Sequence, residues 1–131
     1  MASLKDTLRN TRLDAITTAA GAAAHLMVYT GAAPSKTASP TGTLLADFTL
    51  PNPIAAGSSG GVLTLSAITA VSGSATGTPG YARMVSGTDD GTHTVEQLSA
   101  GIGSGEVSFS GQIFSGGQVS ITSFTETEGN P

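Results

Sequence analysis

The sequence predicts a mainly β fold: a jelly-roll-like antiparallel β-sandwich with one N-terminal helix or arm. Three observations predict it. Short runs that alternate apolar and polar residues recur along the chain, with Gly-, Pro- or Ser-rich turns about every ten residues. Helical character is confined to the first stretch, SLKDTLRNTRLDAITTAAG, from Ser3 to Gly21. The length of 131 residues fits one domain, large enough to bury a core without cross-links. The expected organisation is a helical arm over residues 1–24 and a β-sandwich over residues 25–131.

Ser3 is the expected N-cap, with its hydroxyl accepting from a backbone N–H of the first turn. Asp6 stands where a capping box places its acid, and where the helix dipole favours negative charge. Ala15, Ala19 and Ala20 favour helix, and Gly21 suits the left-handed stop. The apolar residues do not form one stripe. Leu4, Leu8, Ala15 and Ala19 fall on one side, and Leu13, Ile16 and Ala20 are displaced from it. Either the helix breaks within Asn10–Thr11, or it touches two different surfaces. As to what the helix packs on, two arrangements are open, and in the commoner one a helix packs on its own core. In the second, the arm docks on a neighbouring subunit through Leu4, Lys5, Leu8, Arg9 and Arg12, the cations meeting acidic groups there.

The strands follow in order. Leu26–Thr30 sets Leu26 and Val28 against Met27 and Tyr29. Gly31–Thr41, with Pro34 and Pro40, reads as a loop. Thr43–Leu50 alternates Leu44, Ala46, Phe48 and Leu50 with Leu45, Asp47 and Thr49, as a half-buried strand does. Pro51-Asn52-Pro53 ends it. Gly57–Gly61 reads as a turn, Val62–Ala70 as a strand with a bulge near Ile68, and Val71–Gly80 as a link. Tyr81–Ser86 places Tyr81, Arg83 and Val85 on one face. Asp89-Asp90-Gly91 is a hairpin turn leading into Thr92–Ser99. Ala100–Gly105 is a turn and Glu106–Ser110 a short strand. Gln118–Thr127 is the last strand, where Phe124 breaks the alternation and marks a bulge or a switch of sheet. The acidic tail Glu126–Pro131 is expected to be exposed.

Composition limits the function. There is no Cys, which removes disulfides, thiolate metal sites and Cys nucleophiles. Charged residues make up 11%, against roughly 25% in an average soluble domain, so Ser, Thr and Gly must cover the surface. The net charge is −4 with no basic cluster beyond the arm, which argues against nucleic acid as a partner. No run is long and apolar enough to span a membrane, and Asp14, Thr17 and Thr18 argue against a signal peptide.

No catalytic, cofactor-binding or metal-binding residues are expected. His25 and His93 lie in no metal-ligand spacing; His25 reads as a partly buried structural residue and His93 as solvent-facing. Asp89-Asp90-Gly91-Thr92-His93 lacks the regular oxygen spacing of a calcium loop and fits a turn. There is no GxSxG elbow, and the Gly-rich GSSGG and GIGSG lack the lysine and following helix of a phosphate cradle. Tyr29 and Tyr81 fit packing better than a glycan platform.

The order of pieces resembles small proteins encoded by tailed bacteriophages and prophages, some of which look like capsid cement, or decoration, proteins. The resemblance rests on Arg12–Thr17, Leu26–Gly31, Thr41–Ala46, Gly60–Thr64, Thr76–Thr78, Ala82-Arg83 and Val119–Thr125 in that order, and it covers most of the chain. It implies a jelly-roll domain on the outer capsid surface of the virion, without enzymatic activity or cofactor. The implied partners are the major capsid protein and further copies of the chain, often as a trimer, bridging neighbouring capsomers. A small β domain has edge strands that invite pairing, which closed symmetric oligomers cover. The alternatives are a low-copy neck, tail or baseplate protein, a carbohydrate-binding sandwich for surface attachment, and, last, a hydrolase on a β scaffold.

Overall fold

The computed structural model describes residues 5–21, 23–35, 37–51, 54–60, 62–65, 68–87, 93–105, 107–121 and 123–127. The described residues form one helix and ten strands, so the fold is mainly β. Helix α1 (Asp6–Ala20) precedes β1 (Ala24–Tyr29), β2 (Leu44–Thr49), β3 (Ala55–Ser59), β4 (Val62–Leu65) and β5 (Val71–Ser72). Then come β6 (Tyr81–Ser86), β7 (Thr94–Ile102), β8 (Val107–Phe109), β9 (Gln118–Val119) and β10 (Ser123–Thr127). Eight strands form one sheet in the order β2-β1-β6-β7-β8-β10-β4-β3, and β5 pairs with β9 in a small second sheet.

The large sheet curls. β2 and β8 stand four places apart in the strand order. In a flat sheet, with strands about 4.8 Å apart, that is roughly 19 Å. Yet the rings of Phe48 on β2 and Phe109 on β8 stack with centroids 6.4 Å apart. The inner face of the curl carries Ala24, Leu26, Val28, Ala46, Phe48, Ala82, Met84 and Leu98, all buried in one core. Cross-strand register explains why these residues share a face: Leu26 stands opposite both Phe48 and Met84, and Val28 opposite both Ala46 and Ala82.

Helix α1 fills part of the curl. It touches β3 and β4 from one end of the sheet, and β6 and β7 from its middle. Leu13 and Ala20 belong to the same core as the strands, and Ile16 packs against it. The helix is continuous through Asn10–Thr11. Its threonines are accommodated by back-bonding, Thr11 Oγ1 to Thr7 O at 2.9 Å and Thr18 Oγ1 to Asp14 O at 3.3 Å. The expected cap is corrected. The helix starts at Asp6 with extended Lys5 in the N-cap position and no side-chain cap; Ser3 lies outside the described residues. Gly21 ends the helix with φ 66° and ψ −152°, so it leaves toward β1 instead of entering the left-handed helical well.

Other expectations change with the pairing. The ladders are antiparallel except between β7 and β8, where Ala100, Gly101 and Ile102 run parallel to Val107, Ser108 and Phe109. This corrects the all-antiparallel expectation, and β7 continues to Ile102 where a turn was expected. The short return is built on Gly103 and Gly105, with φ of 66° and 87°. The turn expected over Gly57–Gly61 is corrected: Gly57, Ser58 and Ser59 belong to the strand Ala55–Ser59, paired with β4, and the turn falls at Gly60. Val71–Ser72, expected as a link, pairs with β9. The switch of sheet expected near Phe124 is present: β9 belongs to the small sheet and β10 to the large one. The Asp89–Gly91 turn and the tail after Thr127 lie outside the described residues.

Gly80 is needed for close approach. Gly80 N–H donates to Tyr29 O at 2.8 Å, and a Cβ added at Gly80 would lie 2.1 Å from Gly31 O. The obstacle is backbone and cannot rotate away. Gly80→Ala is expected to destabilise the fold by about 2 kcal/mol, read as a lower urea midpoint with an unchanged slope.

Candidate interaction surface

Helix α1 has two faces of different fate. At about 100° per residue, Leu13, Ile16 and Ala20 share the arc that enters the core. Lys5, Leu8, Arg12, Ala15 and Ala19 recur at three- and four-residue steps on another arc, and all five are exposed. Leu8 is 49% exposed, one of the large hydrophobic residues left open to solvent. Of the two arrangements the sequence left open, this is a helix that packs on its own domain yet keeps a second, semi-apolar and basic stripe outside. Lys5, Leu8 and Arg12 are brought together on it. Leu4 and the side chain of Arg9 lie outside what the structure describes.

The outer face of the sheet carries a second arrangement, one that sequence reasoning missed. Tyr81, Arg83 and Val85 do share a face, but all three are buried. The loop after β1 covers Tyr81 and Arg83. Arg83 Nε donates to Gln97 Oε1 at 2.9 Å, Nη1 to Ala38 O at 2.7 Å and Nη2 to Ser35 O at 2.8 Å. Gln97 Nε2 in turn donates to Pro34 O at 2.8 Å. Tyr81 stacks on Tyr29, with centroids 5.1 Å apart, and its hydroxyl donates to Thr41 O. At the loop's base Thr30 N–H donates to Thr43 O at 3.1 Å, and Thr43 N–H to Thr30 Oγ1 at 3.0 Å. The guanidinium fork suits this task, since it offers several donors in fixed directions to backbone carbonyls. The only sequence signal for it was a lone cation in the apolar strand YARMVS.

On the same face, His25 Nδ1 lies 2.8 Å from Asp47 Oδ1, with both side chains partly exposed. His25 is half-buried, as expected, and His93 is exposed. No group of three or more His, Asp or Glu that could hold a metal ion occurs among the described residues. Tyr29, Tyr81, Phe48 and Phe109 are buried, and Phe114, at 58%, is the exposed aromatic among those described. It stands beside a small depression of about 100 Å³ that Ile113 and Val119 also line. A single ring offers no stacking platform for a sugar chain. No described helix is long and apolar enough to cross a membrane.

Searches of protein-family models, curated proteins and solved structures find no match for this chain.

Proposed function

We propose that this chain is a structural virion protein of the capsid cement type, which binds the outside of a phage head and bridges neighbouring capsomers without catalysing a reaction. The observation that carries the reading is the outward stripe of α1. A helix already anchored in its own core holds Leu8, Arg12, Ala15 and Ala19 toward solvent, with exposed Lys5 just before its first turn. Small alanines allow close approach, Leu8 supplies an apolar anchor, and the cations meet an acidic surface of the major capsid protein. In this reading the curled sheet is a jelly-roll-like sandwich, and Leu4 and Arg9 extend the same contact. The low charge and the lack of an exposed aromatic cluster among the described residues favour it over glycan binding.

Removing residues 1–20 would not test this, because it takes Leu13 out of the core. The double substitution Leu8→Glu with Arg12→Glu tests it at exposed positions. Stability is expected to stay within about 0.5 kcal/mol of the parent, while co-sedimentation with capsids falls at least about tenfold. Undiminished co-sedimentation would sink the proposal. Copy number in purified virions, by quantitative mass spectrometry, separates the locations. Near-stoichiometric amounts relative to the major capsid protein support cement, whereas a dozen or so copies support a neck or tail protein.

A further inference from the structure

The loop between β1 and β2 crosses the outer face of the large sheet, and its residues 31–35 and 37–43 are described. They are exposed apart from Pro34, Ala38 and Pro40, which are half-buried. None of them belongs to the hydrophobic core, which lies on the other face. What holds the loop down is polar. Arg83 donates to the carbonyls of Ser35 and Ala38, and Gln97 to that of Pro34. The Tyr81 hydroxyl accepts from Thr41 N–H at 3.0 Å and donates to Thr41 O. These bonds run from side chains on β6 and β7 to the main chain of the loop. The ladders of β6 with β1 and β7 are built from main-chain groups of the strands themselves. The loop can therefore leave without breaking a rung of the sheet. Gly31 and Gly42 stand at its two ends with φ of 82° and 81°, beside Thr30 and Thr43, which bond to each other. Glycines at both ends suit a hinge, where the backbone must absorb a large change of angle.

We propose that this loop is a hinged strap, latched by Tyr81, Arg83 and Gln97, that opens as a unit while the sheet stays folded. Opening exchanges hydrogen bonds within the protein for hydrogen bonds to water, an exchange whose net effect per bond is modest. The core stays covered. Unfolding the sheet exposes that core as well, so the strap opens far more often than the sheet does. Opening bares the stacked rings of Tyr29 and Tyr81 and the guanidinium of Arg83, all buried beneath the closed strap. The outer face thus has two states. One is sealed and polar, and the other presents an aromatic pair beside a cation. The inference stands independently of binding to a phage head.

Amide hydrogen exchange of the full chain, followed through rising but sub-denaturing urea, tests it. The reporter is Thr41 N–H, which bonds to the Tyr81 hydroxyl. It is expected to exchange through an opening at least about tenfold more frequent than the one that frees the β1 amides. That opening is expected to depend little on urea, because lifting the strap exposes little surface, whereas the β1 amides follow the full unfolding slope. A second measurement uses a chain in which residues 32–41 are replaced by a short Gly-Ser turn. Its β1 amides are expected to stay protected. Tyr29 and Tyr81 are the chain's two tyrosines, so nitration by tetranitromethane can be assigned to each by mass. Without the strap, Tyr81 is expected to nitrate at least about tenfold faster than in the parent. Three results would overturn the proposal: Thr41 exchanging in step with β1 at every urea concentration, a shortened chain whose β1 amides lose protection, or one that nitrates Tyr81 no faster.

Discussion

Replacing Arg83 by methionine is expected to lower stability by about 3–5 kcal/mol. The side chain is fully buried and donates to Gln97 Oε1, Ala38 O and Ser35 O. Methionine matches much of the apolar stem but leaves those acceptors under the loop with no donor, each at a cost of about 1–3 kcal/mol. The loop relieves part of this by lifting into water. The loss therefore splits into two observables. Denaturant melts report the global change. Amide exchange at Thr43, which bonds Thr30 Oγ1 at the loop's base, is expected to accelerate more than amides in β1. Arg83→Lys is expected to recover less than half of the loss, because an ammonium cannot span three acceptors in fixed directions. Full recovery by lysine would show that charge matters there and geometry does not.

Leu13→Ala is expected to cost about 2–5 kcal/mol, toward the upper half of that range. Leu13 is 2% exposed, and α1 bridges β3 and β4 to β6 and β7, so the void would open where separate parts of the sheet meet. Neither side can collapse inward without disturbing the other. The matched control is Leu8→Ala on the same helix, where 49% exposure predicts a change within about 0.5 kcal/mol. Thermal melts of the two variants measure the difference between the faces. Equal effects would mean that the helix is seated by its other face.

How much of this was legible in the sequence depended on the kind of force involved. β1, β2 and β6 were readable because they sit between other strands or against the core, and their alternation records which side is dry. Tyr81–Ser86 coincides with the strand that the residues predict. Ala55–Ser59 was not readable, since AAGSS has no β-branched or alternating residues, and its strand state comes from backbone pairing to β4. The parallel β7–β8 pair was hidden for a related reason: glycines permit the return, but nothing local demands it. For the helix, the sequence showed two apolar sets without a choice between them. Leu4, Leu8, Ala15 and Ala19 are about as apolar as Leu13, Ile16 and Ala20, and only the curl of the distant strands selects the second set. The stripe proposed as a contact was thus visible, while its exposure was not. The Arg83 clasp was invisible, because its acceptors are main-chain oxygens and any loop sequence supplies those.

The burial of Arg83 also makes the protein its own unfolding gauge. The chain has 5 Lys and Arg residues, and Lys5, Arg9, Arg12 and Lys36 all precede β2. Trypsin therefore finds a single target beyond that point, the bond after Arg83, in the middle of the sheet with the guanidinium enclosed. Cutting there requires the strand to leave its neighbours on both sides. The rate at which a fragment beginning at Met84 accumulates then tracks opening of the whole sheet, set by the equilibrium population of the open form when reclosing outpaces cleavage. A limited digest read by mass would follow opening of the sheet through one peptide bond, without a label or an added probe.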